Sequence, residues 1–237
     1  MKIDIKFDFR SDTPPGKDPD AHSTTLRRYH KHLWNKALPC GKIFTLEYGP
    51  RNCLLHRSDL GQFFLSSDSA IPTYTKWRII SAIIDQIPYV EREEFIRLSY
   101  TIGGMILFPK NRIGKENTIN GARGFHPLIK DRFDLTVECI RRFYLGEASP
   151  LADTLARYAD FFRLFKNFRG YVEFFLLQDM VSEDYSSVKF FIPFSEFNTA
   201  PLPSNLATYL DYRERASLFI ESRNQRILKY SRFSSSS

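Results

Sequence analysis

In the stretch KNRIGKENTINGARG, Lys110, Arg112, Lys115, Asn120 and Arg123 bring basic and amide side chains together around Gly114, Gly121 and Gly124. A turn of this composition can offer backbone N–H groups and guanidinium forks to a phosphate. It fits neither the GxxxxGK[ST] phosphate loop nor the GxGxxG fingerprint. As INGA it also reads as an ordinary Asn-Gly hairpin turn, for which type I′ geometry is sufficient cause. The following run, KDRFDLTVECIRRFY, carries Asp131, Asp134, Glu138 and Arg142 at spacings of three and four residues, which puts them along one flank of a helix. Neighbouring carboxylates can bind a metal or divide acid and base roles. The same residues also make an ion-pair ladder, with Glu138 and Arg142 in the favourable i, i+4 order and Asp131 suited to a helix N-terminus. Arg123 and His126 are tethered just before these carboxylates, so cations and anions converge at one helix start.

Other catalytic patterns are missing from the chain. His30 and His32 point to different sides of a helix, and no HExxH or HxxxH pairing occurs, so neither a metal nor a cofactor is expected. His32 and His126 stand as candidate general bases, against the commoner role of a lone histidine as a hydrogen-bonding side chain. There is no GxSxG, and Cys40 or Cys139 would need a nearby histidine to act as a nucleophile.

The elements that position these residues follow from periodicity and breakers. MKIDIKFDFR alternates apolar and charged residues and predicts a strand; Pro14, Pro15 and Pro19 make the next segment a loop. Ser23 or Thr24 caps a helix whose apolar face is Leu26, Tyr29, His30, Leu33 and Trp34, with Arg27, Arg28, Lys31 and Lys36 as a basic stripe on the other side. Short strands are predicted at 42–48, 53–56 and 62–65, separated by the turns YGPRN and RSDLG, in an antiparallel meander. A helix is predicted over 74–86, another in VEREEFIRL, and a strand over 100–108 in which Gly103 and Gly104 mark a bulge or a close approach. From Pro127 onward helices dominate: one through Ile140 and Tyr144, one starting at Ser149-Pro150, a buried run YVEFFLLQDMV, a late strand in SVKFFIPF and an amphipathic helix over 206–229. The fold class is α+β, with N-terminal antiparallel strands and hairpins packed on a mostly helical C-terminal half. We read residues 1–233 as one domain, strand-rich over 1–125 and helix-rich over 126–233, and 234–237 as a disordered tail.

Composition bounds the rest. With 237 residues, 43% of them hydrophobic and 15% aromatic, the chain has material for one sizeable core. Three scattered cysteines exclude a disulfide framework and suit a reducing interior. The start lacks the apolar run of a secretion signal, and nothing approaches the roughly 18 apolar residues of a membrane span. A formal charge of +7 biases encounters toward polyanions.

In FDFRSDTPPGKDPDAHSTTLRRYHKHLW, FFLSSDSAIPT, YTIGGMILFP, TINGARGFHPLIKDRFDLTVECIRRFYLG and FFLLQDMV the chain resembles a family of bacterial proteins of unknown function. That resemblance implies a cytoplasmic bacterial protein and carries over no activity, cofactor or catalytic residue. From the residues themselves, the leading expectation is a protein that binds or processes nucleic acid or a nucleotide through 110–142. In it Lys110, Arg112, Lys115, Asn120, Arg123 and Arg142 bind the ligand, while His126, Asp134 and Glu138 form the acid–base set. The alternatives are a regulator docking an acidic protein partner, and a small-molecule enzyme with a pocket beside Gly103 and Gly104.

Overall fold

Asx turns, rather than a strand, open the chain. In the computed structural model, which describes residues 1–50 and 53–233, Asp4 Oδ1 accepts from Lys6 N and Asp8 Oδ1 from Arg10 N, each at 2.9 Å. These local bonds compete with a β ladder. They convert the alternating N-terminus into a coil ending in a 3₁₀ turn, Phe9–Asp12, with Ile3 and Phe9 buried. The proline-rich loop then leads into α1 (Pro19–His22) and α2 (Thr24–Trp34), which Ser23 Oγ caps by accepting from Leu26 N at 3.1 Å.

Two antiparallel sheets follow. β1 (Lys36–Ala37) pairs with β2 (Ile43–Phe44), and β3 (Glu47–Tyr48), β4 (Leu54–Ser58), β5 (Gly61–Ser69) and β6 (Met105–Pro109) form a meander in that order. The strand predicted over 42–48 is split between the sheets, because Leu46 N turns aside to donate to Asn35 Oδ1 at 2.6 Å. Arg51 and Asn52 of the predicted YGPRN turn lie outside the described residues, as does the 234–237 tail.

Between β5 and β6 the predicted 74–86 helix is reduced to a 3₁₀ turn, Arg78–Ile80, and α3 (Ser81–Ile84). Its first turn is lost because Tyr74 takes a left-handed backbone, φ 59°, with its hydroxyl donating to Lys130 O at 3.0 Å. α4 (Tyr89–Ser99) follows. The predicted strand over 100–108 starts only at Met105; before it Ile102–Gly104 is a 3₁₀ turn.

The Asn-Gly dipeptide of INGA is helical, inside α5 (Ile119–Phe125). Thr118 caps that helix through a 3.3 Å bond from Gly121 N, and burial of Ile119 and Arg123 outweighs the hairpin preference. α6 (Phe133–Leu145) ends on a left-handed Gly146, φ 71°. Then come α7 (Ala152–Arg157), α8 (Ala159–Arg163), α9 (Phe168–Phe174) and the long α10 (Leu206–Phe233). The predicted strand in SVKFFIPF is no more than one bridge, Val181 to Val188.

The core joins both halves. Trp34, Phe161, Phe165, Tyr171, Phe174 and Phe175 form an aromatic knot with centroid separations of 5.0 to 6.0 Å. α10 buries Tyr209, Tyr212, Ala216, Phe219, Ile220, Arg223 and Ile227 at helical spacing. Its close contact with the start of β6 explains Gly103: a Cβ there would lie 2.8 Å from Asn224 Cγ and against the Ile220 carbonyl.

Candidate functional site

A cleft of about 680 Å³ lies where the proline-rich loop, the end of β5, the 71–77 segment and α4 meet. Its rim carries Arg10, Lys17 and Lys76, its walls Trp77 and Tyr100, and its floor Asp20, Asp68 and Asp131. Each wall is pinned by a specific bond. Asp18 caps α1 by accepting from Asp20 N at 3.1 Å, and Asp20 Oδ2 accepts from Ser69 N at 2.9 Å, which fastens the loop to the end of β5. Arg10 grips Asp8 at 2.7 Å and Glu93 of α4 at 3.3 Å.

A single buried guanidinium, Arg123, underlies the floor. Its Nη1 meets Asp68 Oδ2 at 2.6 Å and Asp131 Oδ1 at 2.9 Å. Its remaining donors go to Ala70 O, Asp131 O and Thr136 Oγ1. Asp131 reaches this position because Lys130 and Asp131 both take left-handed backbone, φ 47° and 66°, in the tight link from α5 to α6.

Carboxylates outnumber the cation here, and their protonation follows. Burial, with the Asp68 and Asp18 carboxylates close by, pushes Asp20 well above the ordinary range despite the bond from Ser69. Burial raises Asp68 to about 7, against the pull of Arg123 and with Asp131 adding to the rise. Asp131 is also raised by burial, against Arg123. Burial alone lowers Arg123, and Asp131 and Asp68 more than reverse it. Asp20 Oδ1 is buried with no hydrogen-bond partner. Burial, with mutual repulsion at Asp20 and Asp68, therefore biases all three floor carboxyl groups toward their protonated forms, and Asp68 is the one poised to gain or lose a proton near neutral pH.

The residues singled out in 110–142 are distributed differently. Lys110, Arg112 and Lys115 are exposed on the connection from β6 to α5. Asn120 is half-buried in α5, with its Oδ1 unpartnered. Asp134 is buried and chelated by Arg132 at 2.5 and 3.1 Å, and also accepts from Phe191 N at 2.8 Å. Glu138 is held by Arg141 and Arg142, each at 2.8 Å, and Arg142 reaches on to Glu196 at 3.1 Å. Those two guanidinium groups keep Glu138 below its usual value although burial opposes them. Half-buried at the end of α5, His126 is lowered by burial, and its Nδ1 accepts from Leu128 N at 3.2 Å. The structure thus joins Arg123 to Asp131 and Glu138 to Arg142, and places His126, Asp134 and Glu138 outside the lining of the cleft. Gly103 and Gly104 do not line it either, since both are packed against backbone.

Sequence reasoning passed over Asp20 and Asp68, because DPDAHS and LSSDS satisfy the pattern of caps and turns. The available signal was a polar run, Ser66 to Ser69, closing an apolar strand directly before buried Ala70 and Ile71. Among the described residues no group of three or more His, Cys, Asp or Glu side chains is placed to hold a metal, and no helix is long and apolar enough to cross a membrane.

An α+β fold with an acidic-floored, basic-rimmed cleft defines the class of this protein. The chain belongs to a family of unknown function (DUF6994), whose model matches residues 3–227. No curated protein and no solved structure matches the chain.

Proposed function

We propose that the cleft binds and processes a nucleotide or a phosphorylated ligand of nucleotide size by acid–base chemistry. The observation that carries this reading is the surplus of carboxylates, Asp20, Asp68 and Asp131, over one buried guanidinium at the floor of a cleft of about 680 Å³. That volume suits a small ligand. Unbalanced carboxyl groups call for a ligand rich in hydrogen-bond donors, such as the ring edge or diol of a nucleoside, and the Lys17 and Lys76 ammonium groups suit its phosphate. Trp77 and Tyr100 provide faces for stacking. Asp68 serves as the base and Asp20, biased by burial toward its protonated form, as the acid, with Arg123 holding Asp68 and Asp131 in place.

Nucleic acid lying along 110–118 is the competing use of the same basic charge; Lys110, Arg112 and Lys115 face solvent there, whereas Arg123 turns inward. Isothermal titration with nucleoside monophosphates, ribose 5-phosphate and a single-stranded oligonucleotide separates the two. The cleft reading expects a mononucleotide to bind, with a loss of about tenfold or more in Asp68→Asn and in Lys17→Ala/Lys76→Ala, and little change in Arg112→Ala/Lys115→Ala. Binding of the oligonucleotide alone, lost in Arg112→Ala/Lys115→Ala and kept in Asp68→Asn, overturns it, as does the absence of any mononucleotide binding.

A further inference from the structure

We propose that Lys36 is a second reactive centre, an amine nucleophile that forms an imine with an anionic aldehyde or 2-oxo acid in the cavity beside α9. This cavity, about 510 Å³, is separate from the cleft and is lined by Lys36, Pro39, Lys166, Arg169, Phe174 and Tyr230 among others. The Lys36 ammonium lies 4.9 Å from the Trp34 ring, 4.7 Å from Phe174 and 4.6 Å from Tyr230. Among the described residues no carboxylate pairs with it. Glu173, the acidic residue of the lining, is occupied by Arg169 Nε at 2.8 Å and the Tyr185 hydroxyl at 3.0 Å.

Opposing influences set the state of this amine. The three ring faces favour its charged form. Burial and the buried Arg223 guanidinium disfavour it, and lower Lys36 from 10.5 to about 7. A lysine desolvated among apolar groups and next to another cation is the arrangement that makes an amine nucleophilic at neutral pH. Lys166, exposed at the same cavity, gives the carbonyl compound its anionic character, while Arg169 is held by Glu173.

In the reaction the Lys36 nitrogen bonds to the carbonyl carbon, and the two amine hydrogens leave with the carbonyl oxygen as water. The resulting C=N bond can be captured by cyanoborohydride, which gives hydride to carbon while solvent protonates nitrogen. Incubating the full chain with glyoxylate and sodium cyanoborohydride, then mapping peptides by mass spectrometry, reads the reaction at every lysine of the unsubstituted protein. Lys36 is expected to acquire the carboxymethyl group at pH 7 about tenfold faster than Lys17 and Lys76, because its free-base fraction is far larger than that of ordinary lysine. Its rate should reach half its plateau near pH 7. Propionaldehyde, which lacks the anionic group, should label Lys36 more slowly than glyoxylate. Labelling of Lys36 no faster than Lys17 and Lys76 overturns the proposal, and equal rates for the two aldehydes overturn the assignment of an anionic ligand.

Discussion

Arg123 and Arg223 are both fully buried, yet they are solvated by opposite kinds of group. Arg123 faces two carboxylates directly, with a third, Asp20, within electrostatic reach. Among the described residues Arg223 is hydrogen-bonded to carbonyls alone, with Asp179 acting on it only at a distance: its Nη1 donates to Gly103 O at 2.8 Å and Met105 O at 2.7 Å, and its Nε and Nη2 to Phe175 O. Burial lowers Arg223 to about 10, while the carboxylates hold Arg123 above its ordinary value. A guanidinium bound by backbone alone is a staple, here tying α10 to the start of β6 and the end of α9. One bound by ionisable groups beside a cleft makes those groups titrate where chemistry can use them.

Removing each cation tests this contrast and carries the largest expected effect. Arg123→Met leaves Asp68 and Asp131 without their ion pair and should destabilise the fold by about 3–5 kcal/mol in urea unfolding at pH 7.5. The loss should shrink at pH 5, where the carboxylates can protonate. Arg223→Met strands three carbonyls but also removes a charge that repels protonated Lys36, so about 2–3 kcal/mol is expected, and in a Lys36→Met background the loss should be equal at both pH values. Equal pH dependence of the two variants would remove the distinction between them.

A second, smaller effect comes from the proton on Asp68. Its folded value, about 7, exceeds the ordinary 3.8. The folded chain therefore binds the proton more tightly than the unfolded one. Stability from this group is fully present below pH 4 and is lost as the pH rises through 7. Asp68→Asn cannot ionise, so its unfolding free energy should change less between pH 5 and pH 8 than that of the unsubstituted chain, by on the order of 2 kcal/mol. A slope unchanged by the substitution shows that Asp68 ionises freely in the folded state.

Where local chemistry and tertiary packing agree, the elements were legible. α2 has a side-chain cap and a strict apolar face, β5 has alternation, and β4 joins it through a turn at Gly61, φ 133°. α10 has an i, i+3, i+4 face long enough to survive its charged residues. Legibility failed where a distant partner decided the backbone. Tyr74 is turned out of a helical pattern by Lys130 O, and the Asn-Gly pair is drawn into α5 by a threonine cap and by the Arg123 network. The site failed for the same reason. Arg123 stood out in the sequence, but its partner Asp68 is 55 residues away and meets it only once β5 is paired. Asp131 was visible as a helix-start carboxylate, yet its position on the cleft floor depends on two consecutive left-handed residues that neither Lys130 nor Asp131 announces.

The smallest effect serves as the control for the other two. Ser23 sits behind the cleft loop rather than on its floor: its hydroxyl accepts from Leu26 N at 3.1 Å and donates to Asp12 Oδ1 at 2.5 Å, and Asp12 Oδ2 also accepts from Thr25 N at 2.8 Å. Ser23→Ala removes the cap of α2 and one tie to the loop, at an expected cost of about 1 kcal/mol in urea unfolding. It touches neither Arg123 nor any floor carboxylate. Stability should therefore fall by the same amount at pH 5 and pH 8, leaving the slope of the unsubstituted chain intact. If Ser23→Ala instead flattens that slope as Asp68→Asn does, the raised carboxyl groups depend on how the loop is seated. The contrast between Arg123 and Arg223 would then belong to the loop rather than to the ion pairs beneath it.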